Sequence, residues 1–164
     1  MTHSSPISPL ILQVVGKPNQ HASKVAFSEH DFFVLSLLRF TFNEGRCKHP
    51  LCQRAALNLA EQRMLHDDAH LLTRALRQIV QEMSKVRSTN FFFLPGKDRK
   101  ARLYVTPEEA CFVNLVRALI DGDPTSIQAQ LLMLCEGGDS ATILRDARCV
   151  SDVMMRVQRM SKSA

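Results

Sequence analysis

Apolar residues recur at helical spacing along most of this chain, and the stripes are bracketed by residues that start or stop helices. Ala69, Leu72, Leu76, Ile79, Met83 and Val86 share one face of a helix, as do Ile143, Ala147, Val150, Met154 and Val157. Steps of three and four residues return to the same side of the turn. Ser28 with Asp31 forms a capping box and Phe27 with Phe32 a hydrophobic staple, predicting a helix from Ser28 to about Asn43 that ends near Gly45. Pro50 suits the first turn of a second helix, running to about Arg63. The apolar phase changes over Leu65 to Asp68, so a third helix starts there with Asp67 and Asp68 at its dipole-positive end. Thr106, Pro107 and Glu109 open a fourth helix, and the turns at Gly122–Pro124 and Gly137–Gly138 separate it from two more.

One segment breaks this pattern. Phe91 to Leu94 and Ala101 to Val105 are short β-prone runs around Pro95 and Gly96, which predicts a hairpin. The fold class is therefore mainly α with one β-hairpin. Residues 1–26 are rich in Ser and Pro and lack helical periodicity, so they read as a flexible tail in which Leu10, Ile11, Val14 and Val15 could touch the domain. With 164 residues, 45% of them hydrophobic and 23% charged, the chain has the make-up of one globular domain. Phe27, Phe32, Phe33, Phe40 and Phe42 crowd one stretch and should lie in its core.

The formal charge of +5 is unevenly placed. Between Ser84 and Val105, Lys85, Arg87, Lys97, Arg99, Lys100 and Arg102 face the single anion Asp98. Opposite its apolar stripe, the third helix carries Arg74, Arg77, Gln78, Gln81 and Lys85. Three helices followed by a basic hairpin, over roughly Ser28 to Val105, resemble the winged-helix group of DNA-binding domains. That resemblance divides the chain into a tail (1–26), a winged-helix-like region (27–105) and a helical support or dimerisation region (106–164). It implies that the third helix enters the major groove, where Arg and Gln make forked contacts to guanine and adenine edges. Lys97, Arg99, Lys100 and Arg102 would then hold phosphates beside it. The implied function is a DNA-binding transcriptional regulator with duplex DNA as partner. A solvated helix face and an ordinary charged turn would look the same in sequence, so a helical adaptor that binds a protein partner is the rival from another class.

Cys47, Cys52, His66 and His70 have spacing close to a Cys2His2 zinc site, which would make the chain a small zinc-containing protein. His49 lies inside the cysteine turn as a further donor. Against zinc, residues 53–65 read as helix rather than as a finger, and Cys52 also fits an apolar stripe, the commoner fate of a cysteine. Cys111, Cys135 and Cys149 fall in apolar stripes and are expected in the core.

No Gly-rich phosphate loop or nucleophile elbow is present, so the expected function is not enzymatic. The last helix, with Val150, Met154 and Val157 inside and Arg145, Arg148, Arg156, Arg159 and Lys162 outside, either closes the core or pairs with its copy in a homodimer. Five irregularly spaced cysteines, with neither a secretory signal nor a membrane span, lead to an expected cytoplasmic location and no membrane partner.

Overall fold

In the computed structural model the described residues are 10–15, 24–95 and 100–163. They form seven helices and a small three-stranded mixed sheet. In chain order these are β1 (Leu10–Val14), β2 (Lys24–Phe27), α1 (Glu29–Arg46), α2 (Pro50–Gln53), α3 (Ala55–Glu61), α4 (His66–Val86), β3 (Tyr104–Val105), α5 (Pro107–Asp121), α6 (Pro124–Leu134) and α7 (Ala141–Ser163). Among the described residues no helix is long and apolar enough to cross a membrane.

Local signals fix the helix starts. The Ser28 hydroxyl accepts from the Asp31 N–H at 3.1 Å while Asp31 accepts from the Ser28 N–H at 2.8 Å, so α1 opens on a reciprocal box. Thr106 and Glu109 repeat that exchange at α5, with Pro107 as its first residue. The predicted single helix from Pro50 to Arg63 is instead two: the chain breaks at Arg54, whose φ of −115° and ψ of 4° lie outside the helical well. The predicted break before α4 is present, with Leu65 extended between α3 and α4.

The sheet lies elsewhere than the sequence suggests. β1 pairs antiparallel with β2, Leu10 opposite Phe27, and parallel with β3, Gln13 opposite Tyr104. Part of the expected tail is thus the central strand of the sheet, and Leu12 and Phe27 are fully buried. Residues 1–9 and 16–23 lie outside the described residues.

The expected hairpin over 91–105 does not form in the described part. Residues 91–95 belong to no helix or strand, and Lys100–Leu103 make a 3-10 turn that leads into β3. Side chains satisfy that segment instead. Glu109 accepts from the Leu94 N–H at 2.9 Å, and the Thr106 hydroxyl donates to the Phe92 carbonyl at 2.7 Å. Phe91 and Phe93 stack on Phe42 at 4.7 and 4.5 Å between centroids, whereas Phe92 points to solvent.

Beneath this segment sits a buried ion pair. Arg39 donates to both Glu109 carboxylate oxygens at 2.7 and 2.8 Å and to the carbonyls of Ala101 and Tyr104 at 2.9 and 2.8 Å. Around it α1 packs on α3, α4 and α5, while α5 also contacts α6 and α7. The stripes predicted for α4 and α7 are buried, including Val150, Met154 and Val157, except that Val86 at the end of α4 is half-buried. Those three are therefore core residues, and a homodimer would have to use another surface.

Where α4 ends, a second polar joint holds the α6–α7 turn. Arg87 donates to the Leu134 carbonyl at 2.8 Å and pairs with Glu136, while the Ser88 N–H and hydroxyl both donate to Glu136 at 2.7 Å. Glu136 has a φ of 52°, in the left-handed region that few non-glycine residues occupy. At Gly138 an added Cβ would lie 3.1 Å from the Cys135 carbonyl oxygen and 3.2 Å from that of Val86, so backbone crowds this site. Hydrogen bonds from the Thr89 and Ser88 side chains hold the Glu136 carboxyl well down, at about 2 against an ordinary 4.5. A depressed folded-state value means that the joint is strengthened above the ordinary carboxyl range and released as pH falls through the folded value. The Glu136 carboxyl carbon is expected to titrate in NMR near that low value, with exchange at the Ser88 and Thr89 amides rising over the same interval. A midpoint in the ordinary carboxyl range would remove the joint.

Candidate functional site

The exposed face of α4 follows from its buried one. With Ala69, Leu72, Leu76, Ile79 and Met83 in the core, His70, Arg74, Gln78, Gln81 and Lys85 must lie on the opposite side, and all five are exposed. The last four recur at steps of four, three and four residues, one stripe nearly along the helix axis. Arg77 is turned toward α1 instead. Its Nε donates to Glu44 at 2.8 Å, and Glu44 also accepts from the Ala56 N–H at 3.2 Å, so this arginine ties α1, α3 and α4 together. Lys85 pairs with Glu82 one turn back at 2.7 Å, an exposed pair of the kind worth under about 1 kcal/mol.

The stripe borders a second row of cations. α4 and α7 run antiparallel: Arg156 bonds Asp68 near one end, and Arg145 feels the Glu82 charge near the other. Between the helices is a groove of about 480 Å³ lined by Leu71, Leu144, Arg145, Arg148, Cys149 and Arg156, among others. The Arg74 charge, from the neighbouring face of α4, acts on the Cys149 thiol of this groove. The groove therefore carries Arg145, Arg148 and Arg156 together with the acid Asp152 around an apolar floor. Arg145 is bonded to Asp146, and Arg156 to Asp68. No carboxylate among the described residues pairs with Arg74 or Arg148 within salt-bridge distance.

The hairpin cations do not join this surface in what is described. Lys97 and Arg99 fall outside the described residues, and Lys100 opens the 3-10 turn. Arg102 is exposed in another cleft, with Phe32, Phe40, Leu59 and Arg63 of the α1–α3 side.

The four residues of the Cys2His2 pattern are not gathered into one cluster. Cys52 is buried in α2 and Cys47 caps α1, its N–H donating to the Asn43 carbonyl at 2.9 Å. His49 uses Nδ1 to accept from the Leu51 N–H, capping α2. Among the described residues, the donor group that converges is Glu61, His66 and His70. Glu61 is absent from the sequence pattern because it sits across the α3–α4 turn; an acid five residues before the first histidine was the available signal.

The thiols of Cys111, Cys135 and Cys149 do not resemble nucleophiles. Burial pushes Cys111 up to about 12, and burial also raises Cys135 and Cys149, whereas a reactive cysteine needs its thiolate stabilised. No protein-family model matches this chain, and neither does a curated protein or a solved structure.

Proposed function

We propose that this chain is a non-enzymatic, DNA-binding regulator that docks α4 on duplex DNA in the manner of a winged-helix recognition helix. The carrying observation is the exposed stripe Arg74, Gln78, Gln81 and Lys85, flanked by Arg145 and Arg148 of α7. The arrangement of α1, α3 and α4 supports it: the three helices pack on one another, and a short turn leads from α3 into α4. Arg and Gln on a solvent-facing helix can fork onto base edges, while Arg145, Arg148 and Lys85 would meet phosphates. Among the described residues no strand lies between the first two helices, and the sheet is centred on the N-terminal β1.

Fluorescence anisotropy with a labelled random duplex at several salt concentrations tests the proposal. Arg145→Ala with Arg148→Ala should weaken binding to all duplexes and lower the magnitude of the salt slope by about 1 for each phosphate no longer neutralised. Arg74→Ala, Gln78→Ala or Gln81→Ala should shift sequence preference instead. A wild-type chain that ignores duplex DNA at low salt, or an Arg145/Arg148 variant that binds unchanged, would sink it.

A specific observation favours a protein partner as the second reading. Leu132 and Met133 of α6 are 63% and 60% exposed, beside a groove of about 410 Å³ lined by Ile127, Leu131 and Leu144. An adaptor would use that surface, and its binding would carry little of the salt dependence expected of DNA.

A further inference from the structure

We propose that Glu61, His66 and His70 form a site for one borderline divalent cation, with zinc as the representative ion. The site adjoins the N-terminal end of the exposed α4 stripe, His70 lying one turn before Arg74, and makes no use of the Cys47/Cys52 pair. Its geometry follows from the α3–α4 turn. Glu61 is the last residue of α3, His66 the first of α4, and His70 follows one turn later on the same side. The two imidazoles lie 4.3 Å apart between centroids at 62°. Glu61 Oε1 is 2.8 Å from His66 Nδ1 and 3.9 Å from His70 Nε2, and all three donor atoms lie within 4.8 Å of one another.

Tetrahedral zinc with bonds of about 2.0–2.2 Å separates its donors by roughly 3.3–3.6 Å. The two separations from Glu61, 2.8 and 3.9 Å, bracket that range, and side-chain rotations of up to about an ångström bring all three donors into it. Such rotations cost little here, because the side chains of His66 and His70 are 71% and 51% exposed. Two imidazoles and one carboxylate suit zinc and its neighbours rather than magnesium or calcium, which take oxygen donors. Three protein donors leave the remaining positions to water.

One effect works against the cation: the N-terminal end of α4 is dipole-positive. The Glu61 carboxylate and Asp67 in the first turn offset it. The result is an open, exposed site rather than a closed structural one.

The test uses the full chain, titrated with zinc in a non-chelating buffer and separately with cobalt, whose spectrum reports its ligands. One equivalent should bind, and the cobalt form should lack thiolate charge-transfer absorption. His66→Ala and His70→Ala should each weaken binding roughly tenfold or more. Glu61→Gln should weaken it less, and Cys47→Ser with Cys52→Ser should leave it unchanged. All three ligand side chains are solvent-accessible, so circular dichroism should show these variants folded. Failure to bind zinc at millimolar concentration, a cobalt–thiolate band, or loss of binding in the cysteine variant but not in the histidine variants would each overturn the site.

Discussion

Replacing Glu109 by alanine is expected to destabilise the protein by about 3–5 kcal/mol, the range for breaking a buried ion pair on one side. Arg39 and Glu109 are 3% and 0% exposed, so neither charge can turn to water when its partner is removed. A buried pair can often be exchanged for apolar residues at little cost, because its Coulomb gain barely exceeds its desolvation penalty. This pair differs in what else it holds. Glu109 accepts from the backbone N–H groups of Leu94 and Thr106, both at 2.9 Å, and Arg39 donates to the carbonyls of Ala101 and Tyr104. Arg39→Met with Glu109→Leu would leave those main-chain groups without their bonds, and each such loss costs about 1–3 kcal/mol if the group stays buried. The apolar double variant is therefore expected to be clearly destabilised, while the two alanine substitutions together should cost less than their sum. Urea unfolding measures all of these. A loss below about 1 kcal/mol in Glu109→Ala would mean that water replaces the pair.

A comparable loss is expected from Leu12→Ala, about 2–5 kcal/mol. Leu12 is fully buried, and its neighbour Ile11, on the opposite face of the same strand, is 64% exposed. Ile11→Ala should therefore cost within about 0.5 kcal/mol. The contrast between adjacent residues is the signature of a strand with one face in the core. Equal, small effects at both positions would return this segment to the role of a tail.

Helix starts were legible because the groups that decide them are close in sequence. Ser28 with Asp31, and Thr106 with Glu109, cap their own helices, and the α4 and α7 stripes show their burial in their spacing. The sheet was not legible, because Leu10–Val14 finds its partners at Lys24–Phe27 and Tyr104–Val105. Five residues carry too little periodicity to announce that choice. Residues 91–93 misled for a related reason: Phe91 and Phe93 point inward and Phe92 outward, the alternation of a strand, yet Glu109 and Thr106 side chains occupy the places of a pairing strand. At the candidate site, the exposed face of α4 could be read from its stripe. The α7 arginines beside it could not, since only antiparallel packing brings Arg156 onto Asp68 and Arg145 toward Glu82.

The strand order β2-β1-β3 also sets when the molecule can be finished during synthesis. β1 and β2 can pair as soon as Phe27 has emerged, but the other edge of β1 waits for Tyr104 and Val105, after all four helices from α1 to α4. The chain must close that long loop before the parallel pairing returns any free energy, an entropic delay that local helix formation does not suffer. Glu109 arrives later still, so Arg39 is made long before its counter-charge exists. On a ribosome, then, α1 carries an uncompensated guanidinium and a half-covered strand until α5 begins, and during this interval the nascent chain is most exposed to mispairing.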